Sequence, residues 1–578
     1  MSLHRGRALA LAGLTVAAVA ATATKIRSND LWWHLAAGRW MLDNGSIPRA
    51  DPFSFTSGGL PWVDHGWLWQ LAAILIERAG GVGAVAILKI ASAVTFVLAA
   101  WWALRRAEWG AHAACALIAV CLAGARFRFA DRPEAAALAL LATFLAVLVA
   151  RGLHPGRRLA AAAAISIVWA NVHASALLAP ALAAAAAAGC LVACALAVAG
   201  RRGASPDLLG RARDHALVAV ASGAGLLANP WGYGLLLVPF RLRSVLAMGG
   251  FVNPEWPPPP PGSFPLFWLS AVAVLAVAAI RVSRRVSPRT WEGLMLVGSA
   301  AWLAFGSIRH VGLFFVSLPF AAAAAVVGPA RLAPGPEGGK GSARRGAGGL
   351  LPAGWSWVWG ALAAAWFFFA PAIPVGPPGF GVEAGRFPEG ETDWIEAHLA
   401  PPRGLYNDVA HGGYLEWRLY PGDRAFIDGR NEVHAGLLAE SAAAVGDGRL
   451  WQEMLDRHAI DAALVRYRPG RIAVDAPGGL RRSFAPLHFP RSRWALVHWG
   501  DAGMVFLRRD GRHGDLAARE EYRAVEPEDW EHLLERVERE GDLLRQAVLA
   551  DIRRRLVEEP HSRRAGDFLR AFMEEGAP

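Results

Sequence analysis

The segment SNDLWWHLAAGRWM (residues 28–41) follows an apolar stretch at residues 8–25. That stretch is close to the ~20 residues that a helix needs to cross a bilayer core. Immediately after it the chain presents Asp30, two tryptophans and His34. Tryptophan favours the membrane–water interface, but an acid beside lipid is costly unless it has a partner or a task. The segment therefore indicates a functional acid held at a membrane surface.

The composition extends this interpretation to the whole chain. Of 578 residues, 54% are hydrophobic and only 19% are charged, whereas a soluble domain carries about 25% charged residues. Apolar runs near bilayer length recur, so we predict an α-helical polytopic membrane protein with about eleven transmembrane helices. The predicted spans are 8–25, 81–104, 110–126, 133–150, 159–175, 177–200, 214–230, 264–281, 290–307, 311–329 and 352–372.

The formal net charge of +11 follows from the positive-inside rule and does not indicate a nucleic-acid partner. The basic clusters lie between alternate spans: Arg5 and Arg7; Arg105 and Arg106; Arg151, Arg157 and Arg158; Arg201, Arg202, Arg211 and Arg213; Arg281, Arg284, Arg285 and Arg289; and Arg331, Lys340, Arg344 and Arg345. With eleven spans all six fall on one side. We predict a cytoplasmic N-terminus in the inner membrane and a periplasmic C-terminal region. For the first apolar stretch, a signal peptide cleaved near ATATK (21–25) is the alternative.

The domain organisation follows from these spans. We predict a transmembrane domain at 1–372, with a first outer loop at 26–80 that carries two amphipathic interfacial helices. An extracytoplasmic α/β domain follows at 373–515, because short β-like pieces alternate with helical stretches. A charged helical segment ends the chain at 516–578. Residues 331–350 have linker composition, and all four cysteines lie in predicted spans without metal-type spacing.

The first outer loop, DLWWHLAAGRWMLDNGSIPRADPFSFTSGGLPWVDHGWL (30–68), resembles that of large bacterial membrane proteins of the GT-C glycosyltransferase superfamily, near the protein mannosyltransferase-like group. The similarity continues in order through RFRFADRPEAAAL (126–138), WANVHAS (169–175), NPWGYGLLLVP (229–239), NPEWPPP (253–259), IRHVGLFF (308–315) and GGYLEWRLYPGDRAFIDGR (412–430). It covers most of residues 25–435, and the ordered set is more specific than any single piece.

The resemblance implies transfer of a sugar from a polyprenyl-phosphate carrier at the outer face. An acid just after the first span then activates the acceptor or helps to bind a metal ion, and Asp30 stands at that position. Better-characterised members often have a second acid beside it, where this chain has Leu31. A divalent metal therefore stays open, with Asp30, Asp64 and His65 as its ligands if there is one.

Chemistry from the residues themselves agrees. An inverting transfer needs one base for the acceptor and cations for the departing phosphate. We assign Asp30 as the base, with His34, Asp64 and His65 as further catalytic candidates. The alternatives are a helix-capping role for Asp30, an interfacial histidine at 34 and a helix start at Asp64.

Several basic residues fall on the predicted outer side, against the charge bias. Arginine's fork suits phosphate oxygens, so Arg132, Arg309, His310 and Arg126 are the candidate donor-phosphate ligands. The alternative for Arg132 is an internal salt bridge with Asp131 or Glu134. Lys89 lies inside a predicted span, where it either snorkels outward or meets a buried acid.

Two further groups of residues border the predicted outer side. Asn171, His173, Glu255 and Trp256 are candidate cavity-lining residues. The alternatives are a tight turn at 171–173 and a stiff polyproline strut after 256. In the α/β region, Asp428, Arg430 and Asn431 lie in FIDGRNEVH (426–434), at the end of the strand expected for RAFIDGR (424–430), where ligand groups often lie. A turn that caps the strand is the alternative there.

These observations favour a GT-C-like glycosyltransferase that uses a polyprenyl-phosphate sugar and an unknown acceptor. Its partners are membrane lipid and the lipid carrier. The alternative from another class is a non-catalytic membrane scaffold or sensor with an envelope-facing binding domain. A transporter is disfavoured, because its polar site would lie near the midplane on broken helices.

Overall fold

The computed structural model describes residues 2–201, 203, 205–247, 255–283, 289–325, 376–468, 472–473 and 481–574. Within it the chain divides into two compact units. The first, the helical unit, comprises residues 1–26, 65–239 and 253–381. The second, the α/β unit, comprises residues 27–64, 240–252 and 382–578. The segment SNDLWWHLAAGRWM (28–41) thus belongs to the same unit as the C-terminal region.

The helical unit consists of helices joined by short turns. Its helices are α1 (Ser2–Thr22), α3 (Trp67–Gly80), α4 (Ala86–Arg106), α5 (Ala111–Ala125), α6 (Pro133–Val149), α7 (Pro155–Ala170), α8 (Leu178–Ala199), α9 (Pro206–Gly225), α11 (Pro265–Ser283), α12 (Thr290–Gly306) and α13 (Val311–Ala325). Helix α10 (Gly234–Ala247) begins in this unit and ends in the other. The most extensive helix–helix contacts are those of α8 with α9 and of α12 with α13.

Membrane-spanning character is confirmed for part of this bundle. Five helical stretches among the described residues are long and apolar enough to cross a bilayer, and two shorter apolar helices accompany them. Each of the first ten predicted spans overlaps a helix. The eleventh, at 352–372, and the linker at 331–350 lie outside the described residues, so the count of about eleven spans stays a prediction.

Small residues set the distance between helices in this unit. A Cβ added at Gly124 in α5 would lie 2.4 Å from the ring of Phe315 in α13. One added at Gly189 in α8 would lie 2.6 Å from the carbonyl oxygen of Trp291 in α12. Glycine is needed at both positions because only a missing side chain lets the backbones approach so closely.

The α/β unit is built around a four-stranded sheet in the order β1-β2-β6-β5. The strands are β1 (Leu405–Asn407), β2 (Ala462–Arg466), β5 (Trp494–Trp499) and β6 (Gly503–Arg508), beside a small separate pair, β3 (Ile472–Ala473) and β4 (Arg481–Arg482). Strands β1 and β2 are parallel, and the other pairs are antiparallel. The described α/β region therefore matches the predicted fold class.

Helices cover this sheet and follow it. They are α2 (Asp30–Asn44), α14 (Glu389–His398), α15 (Val409–Leu419), α16 (Ala435–Ala444), α17 (Gly448–Arg457), α18 (Phe484–His488), α19 (Gly514–Glu520), α20 (Trp530–Glu540), α21 (Asp542–Glu558) and α22 (Arg563–Glu574). Alternate residues of each strand enter two different cores, as the period of two requires. Both faces of the sheet are therefore buried.

The predicted strand RAFIDGR (424–430) is not a strand, which corrects that expectation. The segment makes one isolated bridge, from Ala425 to Ser54. The side-chain amide of Asn407 donates to the carbonyl of Ile427 at 2.7 Å, and its oxygen accepts from the N–H of Phe426 at 2.8 Å. Because one side chain occupies these backbone groups, they do not enter a ladder.

Helix α2 packs against α15 within the α/β unit. Leu31, Trp32 and Leu35 are buried there, and Trp32 meets Tyr414 of α15 edge to face, with 4.9 Å between ring centroids. Burial of this face accounts for the apolar spacing that predicted an interfacial helix. The second predicted amphipathic helix corresponds to α3.

Glu391 in α14 is a buried acid that holds the turn between β5 and β6. Its Oε1 accepts the backbone N–H groups of Ala502 and Gly503 at 3.1 and 2.7 Å. Burial nevertheless raises its pKa to about 7. Because the folded-state pKa lies above the ordinary value, the associated stability is full below about pH 4.5 and is lost as pH rises through 7.

We expect Glu391→Gln to flatten the pH dependence of unfolding. The wild type should lose up to about 3 kcal/mol between pH 4.5 and pH 8 from this group, whereas the amide cannot ionise. The measurement is the thermal unfolding midpoint of the full chain in detergent across that range. Glu396→Gln, on the exposed face of the same helix, is the control and should follow the wild type. A Glu391→Gln profile parallel to the wild type contradicts the prediction.

Candidate functional site

The α/β unit contains a buried charge cluster centred on Arg430. Its guanidinium contacts the carboxylate of Asp51 at 2.8 Å, that of Glu416 at 3.2 Å and that of Asp428. The same guanidinium lies 4.6 Å from the ring centroid of Trp62. Arg430 is 1% exposed, so these contacts replace water completely. The cluster joins the first loop to the C-terminal part of the unit.

His434 extends this cluster. Its Nε2 lies 2.8 Å from Asp428 and its Nδ1 lies 3.0 Å from the hydroxyl of Ser57. Burial and the neighbouring Asp428 raise the pKa of Glu416 well above its ordinary value. Burial acts on Asp428 too, but Arg430 and His434 hold its pKa well below the ordinary value. The cluster therefore disfavours the charge on Glu416 and favours the charge on Asp428.

Asp30 lies beside this cluster, at the first position of α2. A Cβ added at Gly429 would meet Asp30 Oδ1 at 2.7 Å and the indole nitrogen of Trp33 at 3.3 Å. The neighbouring side chain of Asn29 makes no cap hydrogen bond. The structure thus brings together Asp30 and the residues 428–431, which the sequence placed in separate groups of candidates.

The other sequence candidates of this unit are buried. Asp64 is 2% exposed and His34 is 4% exposed. The ring of His34 lies against Trp33, with 3.5 Å between centroids. In Asn431 the side-chain oxygen is buried without a hydrogen-bond partner among the described residues. Asp428 and Arg430 satisfy each other, so they position their loop, whereas Asn431 keeps an available acceptor.

In the helical unit, three arginines and two glutamates form a second cluster. Arg128 binds Glu134 and also Glu255, the latter at 3.1 Å. Arg132 binds Glu255 at 3.4 Å, and Arg309 binds Glu134 at 2.8 Å. Although burial opposes ionisation of Glu255, Arg128 and Arg132 hold its pKa below the ordinary value. Three positive charges face two negative ones, so the cluster has an excess cation.

The members of this cluster differ in exposure. Arg128 is 6% exposed, while Arg132 and Arg309 are 28% and 24% exposed. The ion pair seen for Arg132 is with Glu255, from another segment than the Asp131 and Glu134 of the alternative. Glu255 comes from the loop before the polyproline run. Its backbone carbonyl accepts hydrogen bonds from the N–H of Arg309 and the hydroxyl of Ser307, both at 2.9 Å, and these bonds fix the loop.

Aromatic rings and histidines border the same cluster. Arg309 lies over Trp256, 5.7 Å from the ring centroid, and His310 meets that ring edge to face. The ring centroids of His65 and His173 are 5.5 Å apart. Burial and Arg309 lower the pKa of His65 to about 4, which disfavours the charged form of that ring.

Two polar residues of this unit have structural partners. The Asn171 amide nitrogen donates to the carbonyls of Ile167 and Ala228 at 2.8 Å, and its oxygen accepts from the indole of Trp67 at 2.9 Å. These bonds satisfy the turn at 171–173, and the cavity-lining assignment of Asn171 stays a prediction. Lys89 reaches Asp131 at 3.0 Å, which selects the buried-acid alternative for Lys89. For Arg126, in the 3₁₀ turn Arg126–Arg128, the donor-phosphate assignment stays a prediction.

Sequence reasoning missed several members of these clusters. Asp51, Glu416 and His434 gave no signal, because an acid in a loop or a helix is usually solvated. Among the described residues, one set of three metal-type ligands has donor atoms within 4.8 Å of one another, namely Cys190, His215 and Glu292. The predicted metal set of Asp30, Asp64 and His65 is not such a group.

Comparison with known proteins supports the fold. The sequence matches no family model and no curated protein. The oligosaccharyltransferase of Archaeoglobus fulgidus in its apo form matches with a TM-score of 0.51 and 13% identity, over 87% of this chain and 74% of that one. AglB from the same organism, solved with an inhibitory peptide and a dolichol-phosphate, gives 0.49 and 12%, over 80% and 69%.

At these identities the likeness shows the fold alone. The chain shares its fold with that oligosaccharyltransferase, which agrees with the fold that the resemblance noted in the sequence implies. The mannosyltransferase-like subgroup stays a prediction. The catalytic, phosphate-binding and cavity-lining assignments also stay predictions.

We expect Arg430→Met to destabilise the α/β unit by about 3–5 kcal/mol, because Asp428 then keeps a buried charge without its main partner. The measurement is thermal unfolding of the full chain in detergent, followed by tryptophan fluorescence. The control is Arg424→Met, an exposed arginine of the same segment, which should change stability by less than about 0.5 kcal/mol. Equal unfolding midpoints for the two variants would show that the cluster does not stabilise the fold.

Proposed function

We propose that this protein transfers a sugar from a polyprenyl-phosphate-linked donor to an acceptor at the outer face of the bacterial inner membrane. Asp30 is the general base. The main support is the position of Asp30 Oδ1 next to Gly429, where any side chain would collide with the carboxylate. Support comes also from the fold, which is shared with an oligosaccharyltransferase.

The proposed reaction is a single displacement. The acceptor nucleophile forms a bond to the anomeric carbon while the bond from that carbon to the phosphate oxygen breaks. Asp30 takes the proton of the acceptor, and the leaving group is the polyprenyl phosphate with its electron pair. General-base assistance of this kind contributes about 10²–10⁴-fold. The configuration at the anomeric carbon is inverted, because attack and departure occur on opposite faces.

The position of Asp30 depends on the Arg430 cluster. Asp428 and Arg430 flank Gly429 in the chain and bind each other, so the backbone at Gly429 cannot move without breaking a buried ion pair. The indole nitrogen of Trp33 lies within the same approach. A base held in this way needs little reorganisation during the reaction, which is the basis of electrostatic preorganisation.

The arginines of the helical unit are the proposed ligands of the donor phosphate. Arg132 and Arg309 are about a quarter exposed, whereas Arg128 is buried between two glutamates. The first two are therefore accessible to a phosphate, and Arg128 fixes the glutamates. His310, Arg126, His173 and Trp256 complete the proposed surroundings.

Several finer points belong to this proposal. The N-terminus is cytoplasmic and the C-terminal region periplasmic, and the proposed domain limits are 1–372, 373–515 and 516–578. The resemblance leaves open a divalent metal bound by Asp30, Asp64 and His65. Because those residues are not a convergent ligand group among the described residues, no step of the reaction runs through a metal ion.

We expect Asp30→Asn to lower turnover by about 10²–10⁴-fold with little change in the KM for the donor, because the amide cannot take a proton. The measurement is transfer from a panel of radiolabelled polyprenyl-phosphate sugars to envelope-extract acceptors, with the protein in nanodiscs. Asp43→Asn, an exposed acid of the same helix, is the matched control and should retain wild-type turnover.

Gly429→Ala separates position from charge in the same assay. The added methyl group would lie 2.7 Å from Asp30 Oδ1 and would displace that carboxylate. We therefore expect a lower kcat although the carboxyl groups of Asp30 and Asp428 are both still present. Equal turnover in Asp30→Asn and the wild type would remove Asp30 from the chemistry. A wild type without turnover on any donor would instead favour the scaffold or sensor.

We expect Arg309→Gln to raise the KM for the donor by about 10- to 100-fold, the loss of a hydrogen bond to a charged group. Glu134 keeps Arg128 as a partner, so the fold should persist. Arg241→Gln, an exposed arginine of α10, is the control. If both variants keep the wild-type KM, Arg309 does not bind the donor phosphate.

A further inference from the structure

A third buried polar cluster lies in the helical unit, away from the arginine network. Cys190 of α8, His215 of α9 and Glu292 of α12 are 1%, 1% and 0% exposed. Cys190 Sγ lies 3.9 Å from Glu292 Oε2, and His215 Nε2 lies 3.2 Å from Glu292 Oε1. Three side chains of three different chemical types thus converge from three helices.

Gly189 makes this convergence possible. A Cβ there would lie 2.7 Å from the Cα of Glu292, so α8 can touch the first turn of α12 only with glycine at this position. On the other side of Glu292, a Cβ added at Gly293 would lie 2.4 Å from the carbonyl oxygen of Ala321. The Glu292 carboxylate is consequently enclosed where α12 begins.

We propose that Cys190, His215 and Glu292 bind a zinc ion. Thiolate, imidazole and carboxylate are the ligand types of protein zinc sites, and their donor atoms lie within 4.8 Å of one another here. A tetrahedral site with bonds of about 2.0–2.3 Å has ligand–ligand edges of about 3.3–3.7 Å. The 3.2 Å between His215 Nε2 and Glu292 Oε1 lies close to those edges.

Charge and hydrogen bonding fit the ion. The Cys190 thiolate and the Glu292 carboxylate bring two negative charges to Zn²⁺ and Arg211 together, and the thiol proton passes to solvent when the sulfur–zinc bond forms. Arg211 binds Oε2 of Glu292 and so leaves Oε1 to the metal, as partners of ligating carboxylates do.

An ion pair alone would not need this arrangement. Arg211 already neutralises Glu292, so the approach of a thiol and an imidazole requires another reason. The surrounding wall is apolar, since Trp291 packs on Cys194, Ala193 and Leu208. A dry wall of this kind strengthens the electrostatic interactions of a bound cation. Cys194, one turn after Cys190, belongs to that wall.

The zinc site is separate from the proposed reaction. Glu292 is the third residue of α12, and Arg309 follows the opposite end of that helix. At 1.5 Å per residue the two ends are about 20 Å apart. The ion would therefore fasten α8, α9 and α12 at the end of the bundle that we predict to be cytoplasmic.

The test is the zinc content of the full chain, purified with an affinity tag that lacks histidine and reconstituted in nanodiscs. Mass spectrometry of the metals should give about one zinc ion per chain in the wild type and in Cys194→Ser. Cys190→Ser should lose most of it. Cys190→Ser is the preferred variant because it conserves volume and leaves the Arg211–Glu292 pair intact.

Cobalt gives a second readout that needs no variant. After zinc is removed with a chelator, added Co²⁺ should produce the charge-transfer band of a thiolate–cobalt bond in the wild type and in Cys194→Ser. The band should be absent in Cys190→Ser. A wild type that takes up neither ion, or equal zinc content in Cys190→Ser and Cys194→Ser, would overturn the proposal and leave a hydrogen-bonded ion pair.

Discussion

The buried guanidinium of Arg430 is the constraint on which the α/β unit depends. It gathers acidic side chains from three segments: Asp51 in the distant first loop, Glu416 in α15 and its near neighbour Asp428. Such a cluster contributes little net stability relative to apolar packing, but breaking it is expensive. Its effect is therefore specificity, since only one arrangement of the three segments satisfies the charge.

Local contacts around Arg430 show the same selection. The N–H of Ala425 donates to the carbonyl of Phe53 at 3.0 Å, and that of Phe55 donates to the carbonyl of Ala425 at 3.1 Å. The first loop is consequently held to the segment that carries Gly429. Because α2 lies in this same loop, Asp30 is placed by the tertiary structure of the unit and not by its own helix alone.

The helical unit uses the same physics with a different outcome. Glycines set the close approaches beside its polar clusters: Gly312 beside Arg128, and Gly189 beside Glu292. The arginine cluster has more positive than negative charge and keeps two partly exposed guanidinium groups, which suits a phosphate. The cluster of Cys190, His215 and Glu292 is enclosed and contains a soft ligand, which suits a transition-metal ion. Exposure and ligand type, more than the presence of charge, separate the two.

The sequence by itself determined the membrane class, most helix positions and the resemblance to GT-C enzymes. These depend on apolar length and local order, which one stretch of chain carries. It also singled out Asp30 and the residues 428–431, yet as separate groups. Only the tertiary structure decided that they meet, that RAFIDGR is not a strand, and that Cys190 lies beside His215 and Glu292. Those facts depend on contacts between residues far apart in the chain, and a single sequence carries no record of such distances.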